Sequence, residues 1–305
     1  MFYIGIDLGT SAVKLLLMDE NGMVLRTVQK EYPLSFPKTG WSEQNPEDWW
    51  TQTRIGIRDL MEGFDSTQVD GLSFSGQMHG LVLLDERDQV IRPAILWNDG
   101  RTAEETEWLN SEIGEERLAD LTGNIAFAGF TAPKLLWVRK HEPENFRRIR
   151  RIMLPKDYLA YRMTGVHSTD YSDAAGMLLL DTAHKCWSAE MLYICGVTKE
   201  QMPRLFESWQ VIGTLTGRVA QDLGLPPHVR VCAGAGDNAA AAVGTDTLSD
   251  GSCNISVGTS GTIFIACDQF HLPKNHALHS FAHASGRYHL MGCMLSAAAC
   301  TQWWV

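Results

Sequence analysis

The sequence predicts a mixed α/β protein built from two related parts. Three observations predict it. Apolar runs of strand length recur near the start, the middle of the chain carries helical patterns, and a Gly-Thr-Ser turn between two strands occurs twice. The elements follow in order. Residues 2–6 and 13–18 are apolar runs joined by Asp7-Leu8-Gly9-Thr10-Ser11-Ala12, which predicts a hairpin. Asp19-Glu20-Asn21-Gly22 then turns the chain into a third strand over 23–31. Residues 32–44 are rich in Pro, Gly and aromatics and read as a loop. Asn45 before Pro46 is a helix start, and the helix runs to about residue 62.

Strands are expected over 69–75, 81–84 and 94–97, with Gly76-Gln77-Met78-His79-Gly80 closing the first and Asn98-Asp99-Gly100-Arg101 the last. From 102 to about 180 the pattern is mostly helical, including 132–139 and 155–163. The four arginines within 147–151 read as a solvated helix end. Residues 170–176 read as a loop facing a cleft or as a helix cap.

Chemistry concentrates at Ala233-Gly234-Ala235-Gly236-Asp237-Asn238-Ala239-Ala240. A β-branched run over 229–233 precedes it and a helix-favouring run over 239–243 follows. A strand, a Gly-rich turn and a helix start bring Asp237 to the mouth of a sheet, beside backbone N–H groups that suit an anion. The blander reading makes Asp237 a helix cap. The repeated turn shifts that balance: Gly9-Thr10-Ser11 lies in one hairpin, and Gly258-Thr259-Ser260-Gly261 lies between runs at 253–257 and 262–266. Each offers hydroxyls and N–H groups on the scale of a phosphate. With Asp7 and Asp237 as carboxylates, the set suits phosphoryl transfer to an alcohol, although no Walker A loop occurs.

Composition narrows the setting. The 305 residues, 45% apolar and 20% charged, are those of an ordinary globular protein of roughly two domains. A net charge of −10 argues against general nucleic-acid binding. No run is long enough to cross a bilayer, so no membrane partner is expected. The start lacks the basic region of a secretory signal, and the seven scattered cysteines read as reduced thiols in a cytoplasmic protein. His276, His279, His283 and His289 sit in a strand-like alternation without carboxylates in register, which disfavours a metal site.

The motifs are familiar as a set. IGIDLGTSAVK (4–14), WSEQNPEDWW (41–50), SGQMHG (75–80), RPAILWNDGR (92–101) and GFTAPKLLWV (129–138) are followed by LPKDYL (154–159), SDAAG (172–176), GAGDNAAAAVG (234–244) and SVGTSG (256–261). Together they resemble the FGGY family of carbohydrate kinases over essentially the whole chain, and the Gln-Met-His-Gly and Trp-Asn-Asp-Gly-Arg motifs point to its D-xylulose-phosphorylating branch. The resemblance implies an actin-like ATPase fold of duplicated ribonuclease H-like domains with nucleotide in the cleft between them. It implies residues 1–244 as a first domain and 245–305 as the start of an incomplete second.

The resemblance also implies roles. Asp237 is the base on the C5 hydroxyl of D-xylulose, and Asp7 the carboxylate on the Mg2+ side. Met78, His79, Trp97 and Asn238 line the sugar pocket. Gly9, Thr10, Ser11 and Lys14 form the first ATP phosphate turn, and Gly258, Thr259, Ser260 and Gly261 the second. Mg2+ is held by Asp7 and Asp237, in part through water. Ala12 and Ala235 replace family glycines, tolerable if their φ angles stay negative. Because the family's second domain is comparable with the first and carries its Gly-rich adenine-binding motif near the C-terminus, a truncated kinase without the adenine site is expected, its exposed apolar end at 290–305 held by the first domain or by pairing into a homodimer. The competing expectations are an inactive sugar-binding fragment and a kinase of a related ketose or polyol.

Overall fold

The computed structural model describes residues 1–257, 261–294, 296–298, 300 and 304. Its main sheet contains β1 (Phe2–Leu8), β2 (Ala12–Asp19), β3 (Val24–Glu31), β4 (Val69–Gly76), β5 (Val211–Thr214), β6 (Arg230–Cys232) and β7 (Ala235–Gly236). The order across the sheet is β5-β6-β4-β1-β2-β3, and β7 continues beside β4. The first three strands form an antiparallel meander, whereas β1, β4 and β6 run parallel.

Alternation explains the sheet's two faces. Ile4, Ile6 and Leu8 of β1 are buried, while Tyr3, Gly5 and Asp7 are only half-buried. The buried face packs on α1 (Pro46–Met61) through Trp49, Ile57 and Leu60. Asn45 caps that helix with its side-chain oxygen on the Glu47 N–H at 3.2 Å, and Pro46 occupies the first turn. Gly56 lets β2 approach closely: a Cβ there would lie 2.5 Å from Leu15 Cδ1.

A second core gathers around α2 (Thr131–His141), whose central residues are buried, whereas α3 (Pro155–Thr164) sends Tyr158, Leu159 and Met163 into the first core with α1. The region expected to be mostly helical also contains short strands, Arg151–Met153 and Ser168–Asp170, which pair with Val82–Leu84 and Arg204–Phe206. Tertiary pairing overrides the local pattern there. Three of the four arginines pair with carboxylates of the chain: Arg147 with Glu144, Arg148 with Asp85 and Arg151 with Asp88. Asp170 caps a short helix, Tyr171–Ala174, so the cap reading of that segment is the one observed.

After α4 (Asp237–Gly244), a separate antiparallel sheet follows: β8 (Cys253–Val257), β9 (Gly261–Cys267), β10 (His279–Ala282) and β11 (Tyr288–Met294), ordered β8-β9-β11-β10. Val257 pairs with Gly261 in the antiparallel register of β8 and β9. Ile255, Val257, Ile263 and Met294 are exposed there, a run of apolar side chains on one sheet. The histidines of this region serve packing: His289 stacks on Phe264 with centroids 4.0 Å apart, and His283 Nε2 meets the Thr247 carbonyl at 3.1 Å. Among the described residues, no group of three or more His, Cys, Asp or Glu side chains is arranged to hold a metal ion. No helix among them is long and apolar enough to cross a membrane.

Candidate active site

Three strands end together. Leu8 of β1 lies opposite Gly76 of β4, and Gly76 lies opposite Gly236 of β7. Parallel strands that stop in one row leave a crevice beyond their carboxyl ends, where such sheets bind ligands. Asp237 follows this row directly, Asp7 precedes it by one residue, and Gln77-Met78-His79 leave it on β4. The crossing order of the chain therefore gathers residues separated by up to 230 positions.

Glycine is required at the turn before Asp237. Gly234 has φ +76, and a Cβ there would lie 2.4 Å from the Phe74 carbonyl oxygen. Ala235 and Ala12 both keep negative φ, so these two replacements cost no backbone strain. Asp237 Oδ1 accepts from the Asn238 backbone N–H at 2.7 Å and from its amide at 2.9 Å. Burial pushes the Asp237 carboxyl up to about 6; the charge of Asp7 adds to the rise and the Asn238 hydrogen bonds oppose it. The two carboxylates therefore share one crevice. Among the described residues Asp7 accepts no hydrogen bond, and Lys14 lies across from it in the β1–β2 register with its side chain exposed. A pair of underneutralised carboxylates is a donor set that fits a hydrated Mg2+.

The sugar-pocket candidates form a second group. Met78 is buried against the turn: a Cβ on Gly236 would lie 3.0 Å from both its Cγ and its Sδ, and one on Gly176 would lie 3.1 Å from its Cε. His79 is half-buried with φ +67, the left-handed region that non-glycine residues seldom occupy. Its Nδ1 donates to the Gly176 carbonyl at 2.7 Å. Burial, reinforced by the nearby Lys134 charge, lowers its pKa to about 3 against the Gly176 hydrogen bond, so the ring is neutral. A neutral ring with Nδ1–H spent on a carbonyl presents Nε2 as an acceptor. Phe130 packs beside the ring with centroids 4.8 Å apart.

Other candidates are placed less simply. The Trp97 indole donates to Thr10 Oγ1 at 2.9 Å, and that hydroxyl donates on to Gln77 Oε1 at 3.3 Å. Thr10 is thus tied by its hydroxyl to Gln77, the residue that follows β4. Gly9 presents its carbonyl to Tyr32 and Gln77, and Ser11 is exposed. The Asn238 amide is engaged by Asp237 and, at 3.4 Å, by the Thr262 hydroxyl. Gly261 opens β9, whereas Gly258, Thr259 and Ser260 lie outside the described residues.

Several residues without an expected role support this site. Lys134, fully buried, donates to the carbonyls of His79 and Gly129 at 2.9 and 2.7 Å, and Thr131 donates to the same His79 carbonyl. They fix the strained backbone. Gln44 accepts from Trp49 and Gln77 and donates to the Thr10 carbonyl, which pins the first turn. The signal in the sequence was the presence of Lys134 in GFTAPKLLWV and of Gln44 in WSEQNPEDWW, without spacing that disclosed their partners.

Residues 2–244 match the family model for the N-terminal domain of the FGGY family of carbohydrate kinases. The chain belongs to that family. It is 48% identical over 302 residues to a xylulose kinase of Klebsiella pneumoniae and 47% identical over 302 residues to one of Escherichia coli, in each case across 99% of this chain. A solved structure from Brucella ovis, described as a "xyloylose kinase", superposes with a TM-score of 0.95 at 43% identity and covers 100% of this chain. The fold is therefore that of the actin-like carbohydrate kinases. The chain spans 62% of the length of each of those two curated relatives and 63% of the solved chain.

Proposed function

We propose that this chain carries the sugar-side part of a kinase that transfers the γ-phosphate of ATP to the C5 hydroxyl of D-xylulose, giving D-xylulose 5-phosphate. The single observation that supports it most is the convergence of Asp7, Met78, His79 and Asp237 at the row where β1, β4 and β7 end. The relatives are named as xylulose kinases, which favours this reading over a sugar-binding module without turnover.

In this reading His79 Nε2 accepts a hydrogen bond from a sugar hydroxyl, and Met78 packs against its carbon skeleton. Asp237 accepts the C5 hydroxyl proton as the oxygen attacks the γ-phosphorus and the bond to the β–γ bridging oxygen breaks. The loose transition state leaves that proton on the hydroxyl until late, so a carboxylate of modest basicity suffices. Asp7, and Asp237 through water, would hold Mg2+, whose bound charge neutralises the phosphate oxygens. The turns at 9–11 and 258–261, with Lys14, offer donors to the phosphates. Residues 245–305 begin the second domain, which would face the nucleotide.

Titration of the full 305-residue chain with D-xylulose by calorimetry tests the sugar site. Saturable heat is expected, and His79→Ala should abolish it. Saturable heat that persists unchanged in His79→Ala would remove His79 from the site, and no heat from the folded chain would remove D-xylulose. With Mg-ATP added, formation of D-xylulose 5-phosphate measures transfer directly.

A further inference from the structure

A buried strut runs behind the candidate site. Gly236 donates its backbone N–H to Ser172 Oγ at 3.1 Å. Ser172 Oγ in turn donates to Asp170 Oδ2 at 2.5 Å, and the same oxygen accepts from the Ser172 N–H at 2.9 Å and the Ser208 hydroxyl at 2.7 Å. The other Asp170 oxygen lies 2.9 Å from Lys156 Nζ, which also meets Asp157 Oδ1 at 2.7 Å. All these side chains are at most 8% exposed. Four residues along from Ser172, the Gly176 carbonyl accepts a hydrogen bond from His79 Nδ1–H.

From this geometry we infer that Ser172, anchored through Asp170 to Lys156, is a positioning residue that fixes Asp237 relative to His79. The short segment 170–176 touches the backbone of the base's turn at one end and the ring of the sugar-contact histidine at the other. Gly236 N–H sits one residue before Asp237, so losing its acceptor frees the peptide that aims the carboxylate. A buried N–H without a partner keeps its full desolvation penalty, enough to release such a turn. Ser208 adds a second hold, since its carbonyl accepts from Gly234 N–H at 3.0 Å. Gly76 fits against this anchor: a Cβ there would lie 2.9 Å from Lys156 Cβ.

The test uses the full chain with Ser172→Ala and Ser208→Ala, the second removing only one hydroxyl from Asp170. Hydrogen–deuterium exchange of the peptide covering 233–240 reads the turn without any sugar. Exchange is expected to quicken roughly tenfold in Ser172→Ala and less in Ser208→Ala. Unchanged exchange in both variants overturns the strut. The second readout rests on the sugar-kinase reading: D-xylulose should bind roughly tenfold more weakly to Ser172→Ala, with 5-deoxy-D-xylulose bound as by the parent chain. Equal weakening of both sugars overturns the positioning role, because general damage to the pocket would not single out the C5 hydroxyl. A parent chain that binds neither sugar overturns the proposed substrate, while the exchange result still decides the strut.

Discussion

At the scale of single residues the site sets two titrations apart. Asp237 is held near 6 and His79 near 3, both chiefly by burial. Because the folded pKa of Asp237 lies above its unfolded value, ionising it costs stability as pH rises through about 6. Asp237→Asn is expected to abolish phosphoryl transfer while raising stability at pH 7.5 by on the order of 1 kcal/mol, a gain that fades as pH falls from about 6 and is gone by pH ~4. Urea midpoints at the two pH values check the stability, and a midpoint lower than the parent's at pH 7.5 would contradict it. The left-handed φ of His79 belongs to this scale too. Strain of this kind persists only where neighbours over-determine it, here Lys134, Thr131 and Gly176.

Among elements, the start of α3 matters most. Lys156 meets Asp157 and Asp170 and lies 3.6 Å from Asp173, with every partner buried. One cation facing three carboxylates cannot neutralise them all. Burial, with the charges of Asp157, Asp170 and Asp237, pushes the Asp173 carboxyl well above the usual carboxylate range against the pull of Lys156. Replacing Lys156 by Met would strand two buried carboxylates. It is expected to cost about 3–5 kcal/mol, read as a lowered urea midpoint. A loss under about 1 kcal/mol would mean the network is dispensable to folding.

For the whole molecule, pH should act through buried imidazoles. His167 Nε2 meets the Ile152 carbonyl at 2.9 Å, and burial lowers its pKa to about 4. The unfolded chain takes up that proton near pH 6.5, so the stability His167 confers is present above that value and lost as pH falls toward 4. His167→Gln should therefore soften the acid loss. The parent's stability advantage over it is expected to shrink by on the order of 2 kcal/mol between pH 7.5 and 4.5. A constant difference across that range would count against a neutral buried His167.

Local signals gave the elements near the termini of motifs. Asn45-Pro46 starts α1 where expected, and the runs at 2–6, 13–18 and 69–75 are strands of the main sheet, because capping and apolar alternation act over a few residues. The same reasoning placed Asp237 after a strand and a Gly-rich turn. The family resemblance, not local pattern, named Met78 and His79, which the sheet then brings to the same row of strand ends as Asp7. Local pattern read 102–180 as mostly helical, since the short strands at 151–153 and 168–170 form only on partners far along the chain. What the sequence determined by itself was the family, through motifs whose residue types answer to phosphoryl chemistry. What only the tertiary structure decided was which groups are spent on neighbours. The Thr10 hydroxyl goes to Gln77, the Trp97 indole to Thr10, and the Gly236 N–H to Ser172. Each bond joins residues 64 to 87 positions apart, and such partners are set by how strands cross in a sheet, which no local pattern of residues records.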